Sequence, residues 1–475
     1  MAFCIANFAG FELINASYTI VMNYQTAEVE QVLVGWSWGL FMSRVDGLKP
    51  HSTSEMLLSF NLDQNQGPAF MWNWKSGDLT ELSQGSTGSL GSSHDMQWVY
   101  DDGTMTPAQS DAYWRTYVNG FYRMSASDPD DVVYYNLYPS VDDVNHVQML
   151  EEDRYALLSS RMDSSFVKFD VVLNKTVWKC GGGTESNFSV VDFDGTVYPA
   201  FQALNGALPW SHQHNAEYFG EGEMLMFDNH YKLGSDPNAT FGVNNSRLLS
   251  VTIDEDTMIA SLTWEFLLPG HELSPVFGDA DRLPTGNVLG CMWPSILHDG
   301  EEQFDARVFE VVRDEDDLTA ESELAWDMTI TGHTCNSERS DGAGKCIRYQ
   351  SEGGFGAPLM GWAMYSVERF YAAPLVHALS CKWSDDTQGY VLAFNVNTAF
   401  KQSSPYAGQY VVTAADGSTL SGVVNFASHW RDASVSITLT ESSQGGVSEW
   451  AAGGSVTVTE SGGDSTNKAF ACSGR

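Results

Sequence analysis

Three histidines of this chain stand in segments of one pattern, each followed by a turn and a short apolar run. The segments read Ser93-His94-Asp95-Met96-Gln97, Asn145-His146-Val147-Gln148 and His212-Gln213-His214-Asn215-Ala216. The runs that follow lie at 101–105, 154–158 and 222–227. Arg161 joins them at the end of the apolar stretch 156–160, in a chain with only 24 Lys and Arg. Its guanidinium needs a partner, either a structural carboxylate or a bound anion, and its planar fork fits a tetrahedral oxyanion with two bonds. Three imidazoles and one arginine suit two kinds of chemistry. One is a metal site, since three histidines hold zinc, copper or iron. The other is transfer of an anionic group, with one imidazole as nucleophile and the rest as acid, base and charge clamp. Arg161 disfavours the metal, because a cation beside a cation is costly. His51, His271, His298, His333, His377 and His429 show no such pattern and read as surface or satisfied core residues.

Elements that repeat are what bring such residues together. Helical periodicity is nearly absent, and strand signals recur: an apolar run, a Gly, Asp or Asn turn, a second run, then a tryptophan. The tryptophan runs include Phe70-Met71-Trp72-Asn73-Trp74, Thr176-Val177-Trp178, Leu262-Thr263-Trp264-Glu265-Phe266 and Leu324-Ala325-Trp326-Asp327. With about 40–50 residues per four-stranded unit, their spacing gives about six units. The expected architecture is all-β, a six-bladed β-propeller whose inner strands carry His94, His146 and His214 to one axis. The clearest unit is the strand–turn–strand at 278–289, with partner strands expected at 307–312 and 323–328.

Near Ala372-Ala373-Pro374 the character changes to short alternating strands with turns rich in Gly, Ser and Asp. The expected division is an unassigned segment 1–45, a propeller 46–374 and a β-sandwich accessory domain 375–475. Strands are expected at 390–394, 408–413, 434–439 and 455–459, closed by a Cys381–Cys472 bridge.

Composition narrows the partners. Acidic residues number 61 against 24 basic, a formal net charge of -37, which repels nucleic acid and anionic lipid. No stretch approaches 18 consecutive apolar residues, so no membrane insertion is expected. Met1 to Met22 lacks a basic start and reads as a poor signal peptide. Other features favour an extracellular or secretory-lumen location. Sequons begin at Asn15, Asn174, Asn187, Asn238 and Asn244, and seven cysteines allow bridges. Cys335 and Cys346 flank a Ser/Gly-rich loop, Cys4 is a candidate free thiol, and the absence of CxxC argues against structural zinc.

An ordered series of stretches resembles the arylsulfotransferase (arylsulfate sulfotransferase) family, the kind that does not use a nucleotide sulfate donor. It comprises His94-Asp95-Met96-Gln97 with Asp102-Gly103-Thr104-Met105, and Asp143-Val144-Asn145-His146 with Leu158-Ser159-Ser160-Arg161. Next come Trp178 with Gly181-Gly182-Gly183, Gln213-His214-Asn215-Ala216, Phe227-Asp228-Asn229 and Ser246-Arg247-Leu248-Leu249. Gly278-Asp279-Ala280-Asp281-Arg282-Leu283-Pro284-Thr285-Gly286-Asn287 and Tyr365-Ser366-Val367-Glu368-Arg369-Phe370 complete it. The likeness covers roughly residues 50–375. It implies a six-bladed propeller, no cofactor and no metal, and a reaction between small-molecule aryl sulfates and phenols. By motif, His214 would take the sulfuryl group, and His146 would protonate the leaving phenolate and later activate the acceptor. His94 and Arg161 would hold the sulfuryl oxygens. Gln148 and His212 are expected to bind substrate. His212, two residues before His214, would share its face if both lie on one strand. Two departures stand out: Gln148 replaces the family's Asn, and Asp163 brings an acid near the anion site. Bacterial relatives carry an N-terminal sandwich, whereas the extra domain here is C-terminal. The alternative is a non-catalytic extracellular binding or structural protein on the same scaffold. The oligomeric state is not specified.

Overall fold

The computed structural model describes residues 1–8, 14–35, 43–62, 65–82, 94–100, 111–202, 208–230, 245–267, 273–274, 276–298, 301–330, 361–440, 450–460 and 463–474. The protein is all-β and divides into two compact units, Met1–Arg369 and Phe370–Arg475.

Among the described residues the first unit holds six sheets. Sheet one joins Gly361–Glu368 to Ala2–Phe8, Ile14–Met22 and Val29–Val34, with Glu301–Phe304 and Ser295–His298 on its other side. The first residues, to which sequence reading gave no place, are thus paired with a strand more than three hundred residues downstream. Sheet two runs Ser43–Pro50, Glu55–Leu62, Asn65–Asn73 and Leu79–Glu81; sheet three runs Met96–Trp98, Ala112–Tyr117, Gly120–Ser125 and Val132–Asn136. Sheet four runs Val144–Leu150, Tyr155–Ser160, Ser165–Asp170 and Lys175–Gly181. Sheet five starts with His214–Tyr218, Glu223–Asp228, Arg247–Asp254 and Ile259–Leu267; sheet six has Asp279–Arg282, Val288–Met292, Ala306–Val312 and Glu323–Ile330.

The first strand of each sheet packs on that of the next. Gly361–Glu368 lies against Ser43–Pro50, which meets Met96–Trp98, then Val144–Leu150, His214–Tyr218, Asp279–Arg282 and again Gly361–Glu368. These inner strands are buried along their length: Val144–Leu150 and Asp279–Arg282 have no exposed residue, although the latter reads Asp-Ala-Asp-Arg. Outer strands instead alternate, as in Glu323–Ile330, where every second residue is exposed. Apolar layers fill the space between sheets. Leu157, Phe166, Trp178, Trp210, Met226 and Leu249 form one between sheets four and five. Phe227, Leu248, Trp264, Val288 and Phe309 form another between sheets five and six. Each such side chain contributes about 1.5–3 kcal/mol. The expected strand–turn–strand at 278–289 and its two partners are present.

The second unit has two four-stranded sheets. One orders Ala433–Leu439, Gly389–Asn397, Leu375–Ser384 and Cys472–Ser473; the other orders Thr419–Phe426, Tyr406–Ala414, Gly454–Glu460 and Ser465–Phe470. Both contribute to one core that includes Leu392, Phe394, Val412, Phe426, Trp450 and Val456. Cys381 and Cys472 form the expected disulfide. Cys4, Cys180 and Cys291 are buried free thiols. The 101–105 turn, the Cys335 and Cys346 loop and the sequons at Asn238 and Asn244 lie outside the described residues.

Candidate active site

His214 opens the inner strand of sheet five and is buried. Its Nδ1 lies 2.6 Å from Asn229 Oδ1, and its Nε2 accepts the Phe277 N–H at 3.2 Å. An acceptor nitrogen carries no proton, so the ring is the Nδ1–H tautomer with its lone pair on Nε2. Burial is the main cause that pulls its pKa down to about 3, with the Arg161 charge acting in the same direction. The imidazole is therefore neutral. Aromatic rings enclose it: Phe277 and Tyr365 stand edge-on to His214 at 6.0 and 5.8 Å between centroids, and Trp293 stacks on Phe277 at 5.8 Å. The backbone that delivers Phe277 is left-handed there, with φ of 64° at Phe277 and 108° at Gly278. A Cβ at Gly278 would stand 2.4 Å from the Phe227 ring, so only glycine fits.

His94 is stacked on Tyr365 at 5.5 Å and 9°. Its Nδ1 is 3.0 Å from the buried Asp46 Oδ2 and its Nε2 is 3.5 Å from Asp143 Oδ1. Burial works against the charged ring, but the bonds to Asp143 and Asp46 prevail and raise its pKa to about 8. A bulge between Val45 and Gly47 admits Asp46. Gly47 lets the strands close up, since a Cβ there would stand 3.0 Å from the Asp95 Cα.

Arg161 sits in the turn after Tyr155–Ser160, its guanidinium donating to Asp143 Oδ2 at 2.8 Å. Burial alone would raise the Asp143 pKa; the His94 bond and charge, with the Arg161 charge, hold it well below the usual carboxylate range. Arg161 Nε is buried with no hydrogen-bond partner. Of the two partners open to Arg161 on sequence grounds, a carboxylate thus takes one side of the fork. Asp163 is occupied elsewhere, accepting from Ser160 Oγ at 3.1 Å with Lys179 Nζ at 3.7 Å.

His146 belongs to a second group. Its Nδ1 is 2.8 Å from Asp95 Oδ2, close but off the N–H axis, and its Nε2 is 3.7 Å from Glu217 Oε1. Asp95 also accepts the Val147 N–H at 3.1 Å. Lys49 Nζ lies 3.8 Å from Glu217 and 3.4 Å from Glu368. Burial acts to discharge Lys49, but the charges of Glu217, Asp95, Glu368 and Asp281 outweigh it and raise its pKa well above the usual value. The two groups adjoin through Tyr365, whose OH donates to the Asn145 carbonyl at 3.2 Å.

The two residues expected to bind substrate are placed differently. Both ends of the Gln148 amide are engaged by one backbone: Nε2 donates to Tyr218 O at 2.9 Å and Oε1 accepts the Tyr218 N–H at 2.8 Å. That side chain clips sheet four to sheet five. His212 precedes the strand, with φ 56° and its N–H donating to Ser164 Oγ at 3.1 Å. The same-face argument fails for it, because the extended backbone begins only at His214. Asp46, Asp143, Asn229, Phe277 and Tyr365 are site residues that sequence reasoning passed over. Asp143, Asn229 and Tyr365 lay within the quoted stretches without a role, and nothing in the sequence singled out Asp46 or Phe277. Among the described residues no three His, Cys, Asp or Glu side chains converge as a metal-holding group.

The pocket sets a neutral buried imidazole in the field of the Arg161 guanidinium and the protonated His94 ring, both paired with the Asp143 carboxylate. The arylsulfotransferase (ASST) family model matches residues 143–333. The matched segment contains Asp143, His146, Arg161, His214, Asn229 and Phe277, while Asp46, His94 and Tyr365 lie outside it. No curated protein sequence is detectably similar to the chain. Among solved structures, the β-propeller domain of Cps50 (Swd1) from Myceliophteria thermophila superposes at a TM-score of 0.37 and 9% identity, covering 69% of this chain and 85% of that one. Hydrazine synthase from Kuenenia stuttgartiensis gives 0.32 and 8%, covering 75% and 76%. These superpositions carry no argument about the site.

Proposed function

We propose that the protein is a sulfotransferase that moves a sulfuryl group from a phenolic sulfate ester to a phenol through a sulfohistidine at His214. In this reading the first unit is a six-bladed propeller, spanning sheets one to six, and the second an accessory β-sandwich. The observation that carries the proposal is the charge state of the pocket: His214 neutral with its lone pair on Nε2, beside Arg161 and a charged His94. An anionic ester is attracted by the two cations, and only an unprotonated imidazole attacks sulfur. Nε2 bonds to sulfur as the sulfur–aryloxide bond breaks, and the phenolate takes a proton from His146. In the second half the acceptor phenol gives its proton to His146, its oxygen attacks sulfur, and His214 leaves as neutral imidazole. Asp95 Oδ2 lies 2.8 Å from His146 Nδ1. Arg161 Nε is a donor with no protein partner among the described residues, available to a sulfuryl oxygen. The aromatic walls of Phe277, Tyr365 and Trp293 suit an aryl substrate.

One observation favours the alternative, a binding protein with a disused site: the Phe277 N–H already occupies the His214 lone pair. Mass spectrometry of the intact protein after incubation with p-nitrophenyl sulfate at mildly alkaline pH separates the two. Sulfotransfer gives an adduct of about 80 Da, lost on adding a phenol and absent in His214→Asn. The absence of both the adduct and released nitrophenol would instead support the disused site. We further propose a secreted or lumenal location, supported by the Cys381–Cys472 disulfide and by the sequon at Asn174 in an exposed turn. Loss of mass on enzymatic deglycosylation of the native protein tests it.

A further inference from the structure

The nucleophile's readiness depends on one neighbour. Asn229 is fully buried at the end of Glu223–Asp228, and its amide is fixed in orientation. Nδ2 donates to the Ser274 carbonyl at 2.8 Å and to the Phe277 carbonyl at 2.9 Å, which leaves Oδ1 facing His214 Nδ1 at 2.6 Å. Ser246 Oγ donates to the Asn229 and Ser274 carbonyls at 3.0 and 3.1 Å and accepts the Ser274 N–H at 2.8 Å, so the frame around the amide is itself bonded. An amide oxygen accepts a proton's hydrogen bond but does not take the proton. The proton is kept on Nδ1 and the lone pair on Nε2.

We propose that Asn229 is the positioning residue of His214, holding its reactive tautomer and, through the same amide, the segment that sets Phe277 N–H against Nε2. The inference rests on the reading of His214 as the sulfuryl acceptor. During transfer the ring that carries sulfur on Nε2 keeps its Nδ1–H and its positive charge, which makes it a good leaving group. Asn229 preserves that charge because it cannot remove the proton. A carboxylate in its place would draw the proton away and hold the adduct longer.

Two variants test this in the full-length protein. Asn229→Leu removes both the acceptor and the donors; adduct formation from p-nitrophenyl sulfate should fall about 100-fold or more. The nitrogen NMR pattern of His214 should change from one Nδ1–H form to a mixture of tautomers. Asn229→Asp keeps the acceptor and adds a charge beside a ring that also faces Arg161, His94 and Asp143. The acidic limb of its rate profile should move up by about a pH unit or more, and its adduct should persist about tenfold longer before phenol removes it. An unchanged tautomer pattern in Asn229→Leu, or a wild-type pH profile and adduct lifetime in Asn229→Asp, overturns the assignment. Should Asn229→Leu not fold, Asn229→Asp alone decides. A wild-type protein that forms no adduct refutes the sulfotransfer reading itself, while the tautomer pattern still tests the geometry.

Discussion

His214 and His94 both contact the Tyr365 ring yet have opposite charge states, and the difference is visible in stability against pH. The folded His214 has a pKa of about 3 against 6.5 unfolded, so below pH 6.5 the unfolded chain binds a proton that the fold refuses. Stability falls by about 1.4 kcal/mol per pH unit from 6.5 down to about 3, where the loss levels off. His94, raised to about 8, has the reverse sign: its contribution is complete below 6.5 and is lost as pH rises through about 8. Urea midpoints across pH 4–9 check both. His214→Asn should gain on the wild type as pH falls below 6.5, and His94→Gln should lose most at acid pH and least above 8. The sequence exposed these histidines and Arg161 by type and position. It could not expose Asp46 or Phe277, because a bulge and a left-handed backbone, both tertiary consequences, carry them in.

At the scale of elements, neighbouring inner strands are joined by side chains acting on backbone. Met149 N–H donates to Gln97 Oε1, Asn145 Nδ2 to the Gln213 carbonyl, Val367 N–H to Asp279 Oδ2 and Ser366 Oγ to the Asp46 carbonyl. Such bonds satisfy many of the polar groups that the inner strands bury, which offsets the cost of burying them. Gln148→Leu should therefore cost about 1–3 kcal/mol in chemical denaturation with KM for the aryl sulfate retained. A raised KM at unchanged stability would return Gln148 to the substrate. The strand-rich character and the 278–289 unit were legible from apolar alternation and turn residues. The face of His212 was not, because a left-handed residue two positions upstream of His214 breaks the period-two rule.

At the scale of the whole molecule the two units have separate cores, and only the second carries the described disulfide. The bridge spans a sequence separation of 91, which corresponds to about 4.6 kcal/mol of denatured-state restriction. Cys381→Ser with Cys472→Ser should lower the melting transition of the second unit and leave adduct formation at His214 intact; calorimetry alongside the sulfotransfer assay measures both. The composition changes near Pro374, and the second compact unit begins at Phe370. Sheet one was illegible for a different reason: its pairing joins Ala2–Phe8 to Gly361–Glu368, and local patterns carry no record of so distant a neighbour.

That pairing has a consequence for biosynthesis. A nascent chain leaves the ribosome N-terminus first, so Ala2–Phe8 must wait for Gly361–Glu368, the last described strand of its unit to appear. Until then a strand edge with Phe3 and Ile5 stands unpaired, a template for association with other chains. Such non-local closure is slow. Chaperone demand during synthesis should therefore fall late, when residue 368 clears the exit tunnel, rather than sheet by sheet.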